Sequence, residues 1–184
     1  TLVDGLKRQG IQNTQVLQAL AKVPRHQFVD EAFASRAYED AALPIGHQQT
    51  ISRPFTVARF GEYALEGRSA LGNVLEVGAG CGYQAAVFSE LAQHVVSIER
   101  IEALYHKAER NLNAAGYRQV VLRYGDGLLG APDQAPFDVI VVAAAGLEIP
   151  QALLTQLKVG GRLIVPVEAQ SKQVLVTVDR LSSD

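Results

Sequence analysis

The densest chemistry in this chain sits at Val74-Leu75-Glu76-Val77-Gly78-Ala79-Gly80-Cys81-Gly82, where a short apolar run gives way to glycines. Glycines allow a tight turn and let backbone N–H groups approach a ligand closely. The spacing is G-x-G-x-G. A dinucleotide fingerprint would need its third glycine at position 83, where this chain has Tyr83, so a pyrophosphate seat is disfavoured. Glu76 stands just ahead of the loop, where its carboxylate can meet a ligand cation. Glu99 ends the next apolar run, with Arg100 beside it, and an acid there can accept hydrogen bonds from ribose hydroxyls. Gly125-Asp126-Gly127 ends the run after that, and Asp126 can accept from an exocyclic adenine amine. Taken singly, each feature has a plainer reading: a tight turn, a solvated strand end, an ordinary turn tripeptide. Together, at the ends of successive strands, they outline a nucleoside-shaped ligand with no phosphate.

The elements that must hold these stations change character near residue 72. Before it, apolar spacing is mostly helical. Asn13 or Thr14 caps a helix through Val16, Leu17, Leu20 and Val23 that Pro24 ends. A second helix is expected over 54–65, with Pro54 in its first turn. Residues 41–52 read as irregular or short-strand structure. After residue 72, strands are expected at 73–77, 95–98, 120–124, 138–142, 163–167 and 174–178. Helices are expected at 83–92, 102–115 and 150–157. Continuous apolar strands alternating with helices predict an α/β fold, a doubly wound and mostly parallel Rossmann-like sheet, with ligands beyond the carboxyl ends of the strands. The expected organisation is one domain over 1–184: an N-terminal helical extension over 1–72 and a ligand-binding core over 73–184.

Composition narrows the class. The chain has 184 residues, 48% hydrophobic and 20% charged, with net charge −2. That suits a soluble domain and argues against strong, sequence-independent nucleic-acid binding. No apolar run approaches the ~18 to 20 residues of a membrane span. The single cysteine, Cys81, cannot form an internal disulfide, which fits a cytoplasmic location. A helix N-terminus near Cys81 would lower its thiol pKa, yet no general base accompanies it in sequence. His26, His47, His94 and His106 are scattered without metal-ligand spacing, so no metal is expected, and His47 reads as a surface residue with lining of the pocket as its alternative.

The pattern resembles class I S-adenosylmethionine methyltransferases, and further segments narrow it to the protein-L-isoaspartate O-methyltransferases. Gln49-Thr50-Ile51-Ser52-Arg53-Pro54 is similar to that family's T-I-S-x-P motif. Leu75 to Gln84 is similar to its L-E-[IV]-G-[TAS]-G-x-G-Y-Q segment, and Gly125-Asp126-Gly127 to its G-D-G turn. Ala135-Pro136-Phe137-Asp138, Ile149-Pro150-Gln151-Ala152-Leu153 and the run from Gln156 to Val167 follow in order. The resemblance implies methyl transfer from S-adenosylmethionine, leaving S-adenosylhomocysteine, to the α-carboxylate of L-isoaspartyl residues in damaged proteins or peptides. It implies that Gln49, Thr50, Ile51 and Ser52 wall the pocket and that Ser52 is the catalytic residue. Gly78 and Gly80 would approach the methionine part, Glu99 the ribose, and Gly125 and Asp126 the adenine. Glu76, Tyr83, Gln84, Arg100 and Gly127 complete the cofactor set, although Tyr83 and Gln84 open a helix and packing is their alternative role. Ala143-Ala144-Ala145 would border the substrate carboxylate.

Departures are visible too. Phe55 stands where relatives often carry His or Tyr, Leu128 where Trp is common, and Glu168 where Gly is common. The chain stops at Asp184, short of a family strand that helps hold the peptide. Expected partners are isoaspartyl peptides and proteins, with no nucleic acid and no membrane, and the expected state is a monomer. Three alternatives are a nicotinamide-dependent oxidoreductase, a non-catalytic S-adenosylmethionine-binding module, and a methyltransferase for a small-molecule acceptor. Ser52 also has a second reading, as the cap of the helix that opens at Pro54.

Overall fold

The computed structural model describes residues 1–143 and 148–184. Helix α1 (Leu2–Arg8) was not anticipated; a reciprocal capping box between Thr1 and Asp4 starts it. Helix α2 (Thr14–Lys22) is capped by the Asn13 side chain, which accepts from Val16 N at 3.0 Å. Two 3-10 segments, Arg25–Phe28 and Glu31–Arg36, lead to a small antiparallel hairpin of β1 (Leu43–Gly46) and β2 (Gln49–Ile51). Helix α3 (Pro54–Leu65) has the bounds expected from its sequence, with proline in the first turn.

The core alternates as expected: β3 (Leu71–Val77), α4 (Tyr83–Ser89), β4 (Ala92–Glu99), α5 (Glu102–Ala115), β5 (Val121–Tyr124), β6 (Phe137–Val142), α6 (Gln151–Gln156), β7 (Leu157–Ala169) and β8 (Lys172–Asp179). The helix expected over 83–92 is shorter, because Leu71 N bonds to Leu91 O and draws the chain into β4. The last two strands are longer than expected. They form an antiparallel pair turned at Gln170 and Ser171, both with positive φ.

Among the described residues the strands form a six-stranded sheet in the order β5-β4-β3-β6-β7-β8, parallel except for β8. Apolar side chains alternate between its faces. Val74, Val95, Val139, Val141 and Ile164 join one cluster with residues of α1 to α5. Leu75, Val96, Ile98, Ile140 and Leu163 join a second cluster with Leu153 of α6. The central strands β3, β4 and β6 are thus buried on both faces, which is why they read as continuous apolar runs, whereas the edge strands β5 and β8 are half-buried or exposed.

Candidate active site

Register brings the stations together. Val77 pairs with Ile98 and with Val142, and Glu99 pairs with Tyr124, so β3, β4, β5 and β6 end at one level. Beyond those ends lies a cavity of about 870 Å³. Its wall includes Gly78, Gly80 and Cys81 from the turn after β3, Glu99 and Arg100 from the end of β4, and Asp126, Gly127 and Leu128 after β5. The β1–β2 hairpin and the residue after it supply Gln49, Thr50, Ile51 and Ser52. Glu76, Tyr83 and Gln84 also border it, whereas Gly125 does not line it. Ala143 lines it; Ala144 and Ala145 lie outside the described residues.

The glycine turn is built by the sheet. Gly78 N and Ala79 N both bond to Ile98 O, at 2.8 and 3.2 Å, and Gly78 and Gly80 have φ of +97° and +57°. A Cβ at Gly80 would lie 3.4 Å from Ile45 Cδ1, and one at Gly127 only 2.5 Å from Val77 Cγ1. Gly127 is thus packed against Val77 where a side chain would clash, and the positive φ of Gly78 and Gly80 is what glycine adopts without strain. Glu99 is buried, not a solvated strand end, and its Oε2 accepts from Gly80 N at 3.3 Å. Asp126 Oδ1 accepts from Leu128 N at 3.0 Å, which fixes that carboxylate at the wall.

Glu76 is fully buried. Its Oε1 accepts from Ser97 Oγ at 2.5 Å and its Oε2 from Gln84 Nε2 at 3.0 Å. Burial dominates over these bonds and pushes its carboxyl up to about 8, with the nearby Glu99 charge adding in the same direction. A cation beside Glu76 would favour the ionised form. Gln84 both borders the cavity and holds the Glu76 carboxyl. The Tyr83 ring is a core element: it packs edge-on to Phe28 at 5.7 Å, and the Arg25 guanidinium lies 4.8 Å from its centroid.

Two expectations are corrected. Burial pushes the Cys81 thiol up to about 11, so desolvation outweighs any lowering by the helix end. Arg53, not Ser52, is the N-cap residue of α3, and no side-chain hydrogen bond caps that helix there. Ser52 is half-buried on the cavity wall. His47 sits in the hairpin turn at φ 54°, exposed and outside the cavity lining.

Several residues escaped the sequence reading. Asp40 Oδ1 accepts from Phe55 N at 3.0 Å and so holds the start of α3. Arg25 is buried and ties Ala37 O and Ala41 O, at 2.7 and 3.3 Å, in the segment leading to the hairpin. Gln173 on β8 and Glu148 also line the cavity. No local signal marks Gln173, because an antiparallel edge strand carries it there. No helix among the described residues is long and apolar enough to cross a membrane, and they contain no cluster of metal-ligating side chains.

Known proteins agree with this architecture. The sequence profile of the protein-L-isoaspartate(D-aspartate) O-methyltransferases (PCMT) matches residues 1–184. A protein-L-isoaspartate O-methyltransferase of Burkholderia ambifaria is 57% identical over 183 residues, covering 98% of this chain and 59% of the relative. The chain thus spans a little under three fifths of that relative's length. A solved protein-L-isoaspartate O-methyltransferase superposes with TM-score 0.84 at 34% identity, over 96% of this chain and 58% of the other. A Plasmodium falciparum beta-aspartate methyltransferase, solved in complex with S-adenosyl-L-homocysteine, shares the fold with TM-score 0.84 at 23% identity, over 99% of this chain and 89% of its own. On this match over residues 1–184 the chain belongs to the protein-L-isoaspartate(D-aspartate) O-methyltransferase family.

Proposed function

We propose that the protein transfers a methyl group from S-adenosylmethionine to the α-carboxylate of L-isoaspartyl residues in damaged proteins and peptides, the first step of their repair. One observation carries this reading: the glycine turn, Glu99, Asp126 and the segment from Gln49 to Ser52 wall a single cavity. The donor set suits the cofactor. Glu99 can accept from ribose hydroxyls and Asp126 from an adenine amine, Gly78 and Gly80 leave room for the methionine part, and Glu76 offers a carboxylate to its ammonium. When bound, S-adenosylmethionine supplies a methyl carbon made electrophilic by the sulfonium sulfur.

The protein's own contribution is alignment. An α-carboxylate has a reference pKa of about 3.5 and is already ionised at neutral pH, so no strong base is required. No histidine stands among the described residues of the cavity wall. The Ser52 hydroxyl donates a hydrogen bond to one carboxylate oxygen and leaves the other free to attack. A neutral donor orients the nucleophile without quenching it, as Lys or Arg would. Positioning of this kind contributes up to roughly 7–11 kcal/mol in well-aligned systems. The cavity also removes water from the carboxylate.

The proposal includes one methyltransferase domain over the chain, with the T-I-S-x-P segment in its N-terminal extension. It also includes a cytoplasmic location, supported by the single buried thiol, and a monomer, read by light scattering. The deciding experiment is transfer of labelled methyl to an L-isoaspartyl peptide beside the same peptide with normal aspartate. Base-labile label on the isoaspartyl peptide alone supports the reading. Cofactor binding with no label on either peptide removes it in favour of another acceptor or a binding module.

A further inference from the structure

We propose that Arg53 determines which isoaspartyl peptides are accepted, selecting those with an acidic side chain next to the isoaspartyl residue. This rests on the proposed function and deepens it. Arg53 directly follows Ser52, is the N-cap residue of α3, and lines the same cavity. Its side chain is 44% exposed, so it is reachable from solvent.

The guanidinium is nonetheless held in place. Its central carbon lies 4.7 Å from the centroid of the Phe55 ring. Such stacking restrains a side chain that would otherwise lose much rotamer freedom on binding. Asp40 does not use it up. One Asp40 oxygen already accepts from Phe55 N at 3.0 Å, and the other is 3.9 Å from Arg53 Nε, at the limit of ion pairing. Among the described residues the terminal Nη groups of Arg53 make no hydrogen bond. A planar fork whose terminal donors are unused by the described residues, stacked on an aromatic face, suits a carboxylate. The positive end of α3 adds to the local potential.

The other charges on the wall fit this division. Glu99, its neighbour Arg100 and Asp126 belong to the nucleoside end, and Glu148 is exposed. Arg53 is the cation adjoining Ser52, at the acceptor end. The acceptor carboxylate itself is the poorer partner, because a guanidinium bound to it would weaken the nucleophile. A second, unreactive carboxylate on the neighbouring residue carries no such cost.

The test compares kcat/KM for three isoaspartyl peptides whose flanking residues are acidic, neutral or basic. The purified chain is measured beside Arg53→Gln, Arg53→Lys and Arg53→Glu. The expected wild-type order is acidic over neutral over basic, by about fivefold per step, the scale of one exposed charge pair. Arg53→Gln brings the acidic-to-basic ratio towards one, mainly through KM. Arg53→Lys retains much of it, Arg53→Glu inverts it, and added salt shrinks it. Equal use of the three peptides by the wild type overturns the assignment. So does a uniform loss on all three in Arg53→Gln, which would mark Arg53 as holding the acceptor carboxylate or the loop. Absence of methylation on every peptide overturns the reading of the site, and this inference with it.

Discussion

Gln84 on α4 donates a hydrogen bond to Glu76 on β3 across the glycine turn, Nε2 to Oε2 at 3.0 Å, with both side chains buried. Together with Ser97 it gives a buried carboxyl two donors, yet burial still holds that carboxyl up at about 8 against an ordinary 4.5. The folded protein therefore keeps a proton there that the unfolded chain releases. Stability from this group is present below about pH 4.5 and is lost as pH rises towards 8. We expect the melting temperature of the ligand-free protein to fall over that window, and Glu76→Gln to flatten the fall. Calorimetry of both proteins at pH values of about 5, 7 and 9 checks this. Parallel curves would show that Glu76 does not titrate in the window.

Ser52→Ala should lower kcat on an isoaspartyl peptide by roughly fivefold to tenfold, the scale of one neutral hydrogen bond. Cofactor affinity and melting temperature should barely change, since Arg53 occupies the N-cap and no Ser52 cap is lost. Unchanged turnover would remove the catalytic role and leave Ser52 as wall only.

Glu99 accepts from Gly80 N and is buried at the cavity wall. Glu99→Gln loses the charge of the ribose acceptor. We expect S-adenosylmethionine affinity to weaken by at least tenfold, since hydrogen bonds to charged groups contribute about 1.5–3 kcal/mol. Isothermal titration calorimetry reads this directly. Wild-type affinity in the variant would take Glu99 out of the ligand set.

The Tyr83 hydroxyl is buried and makes no hydrogen bond of good geometry to the described residues; burial pushes it up to about 12, and the nearby Arg25 charge only partly opposes this. Tyr83→Phe therefore removes an unsatisfied group while keeping the ring that stacks with Arg25. We expect stability to hold or to rise by up to about 1 kcal/mol in urea unfolding. Arg25→Met contrasts with it: Ala37 O and Ala41 O lose their buried donor, and a loss of about 2–4 kcal/mol is expected. Equal effects of the two substitutions would contradict this division of labour.

Much of the fold was legible because its causes are local. Proline at the first turn of α3 and the glycine that stops α5 mark bounds that the structure reproduces. Gly116, at φ +87°, ends α5 with its N–H bonded to Leu112 O and Asn113 O. The strand-end positions of Glu99 and Asp126 follow from counting along apolar runs. Where a distant segment decides, local reading falls short. Helix α4 ends early because Leu71 captures Leu91 O, and β7 and β8 lengthen because they pair with each other.

The sequence by itself determined the strand–helix alternation, the glycine turn and the kinds of group that face a ligand, since dihedral preference, capping and apolar period act over a few residues. Only the tertiary structure decided which of those groups share a wall and in what state. Sheet register brought Gln173 to the cavity and left Gly125 off its wall. Burial kept Glu76 protonated near neutrality and raised Cys81, against the helix-end effect expected from sequence. The 3-10 segments and the hairpin placed Asp40 beneath Arg53 and Phe55. Desolvation and distance are properties of chain segments far apart in sequence, and only the folded chain sets them.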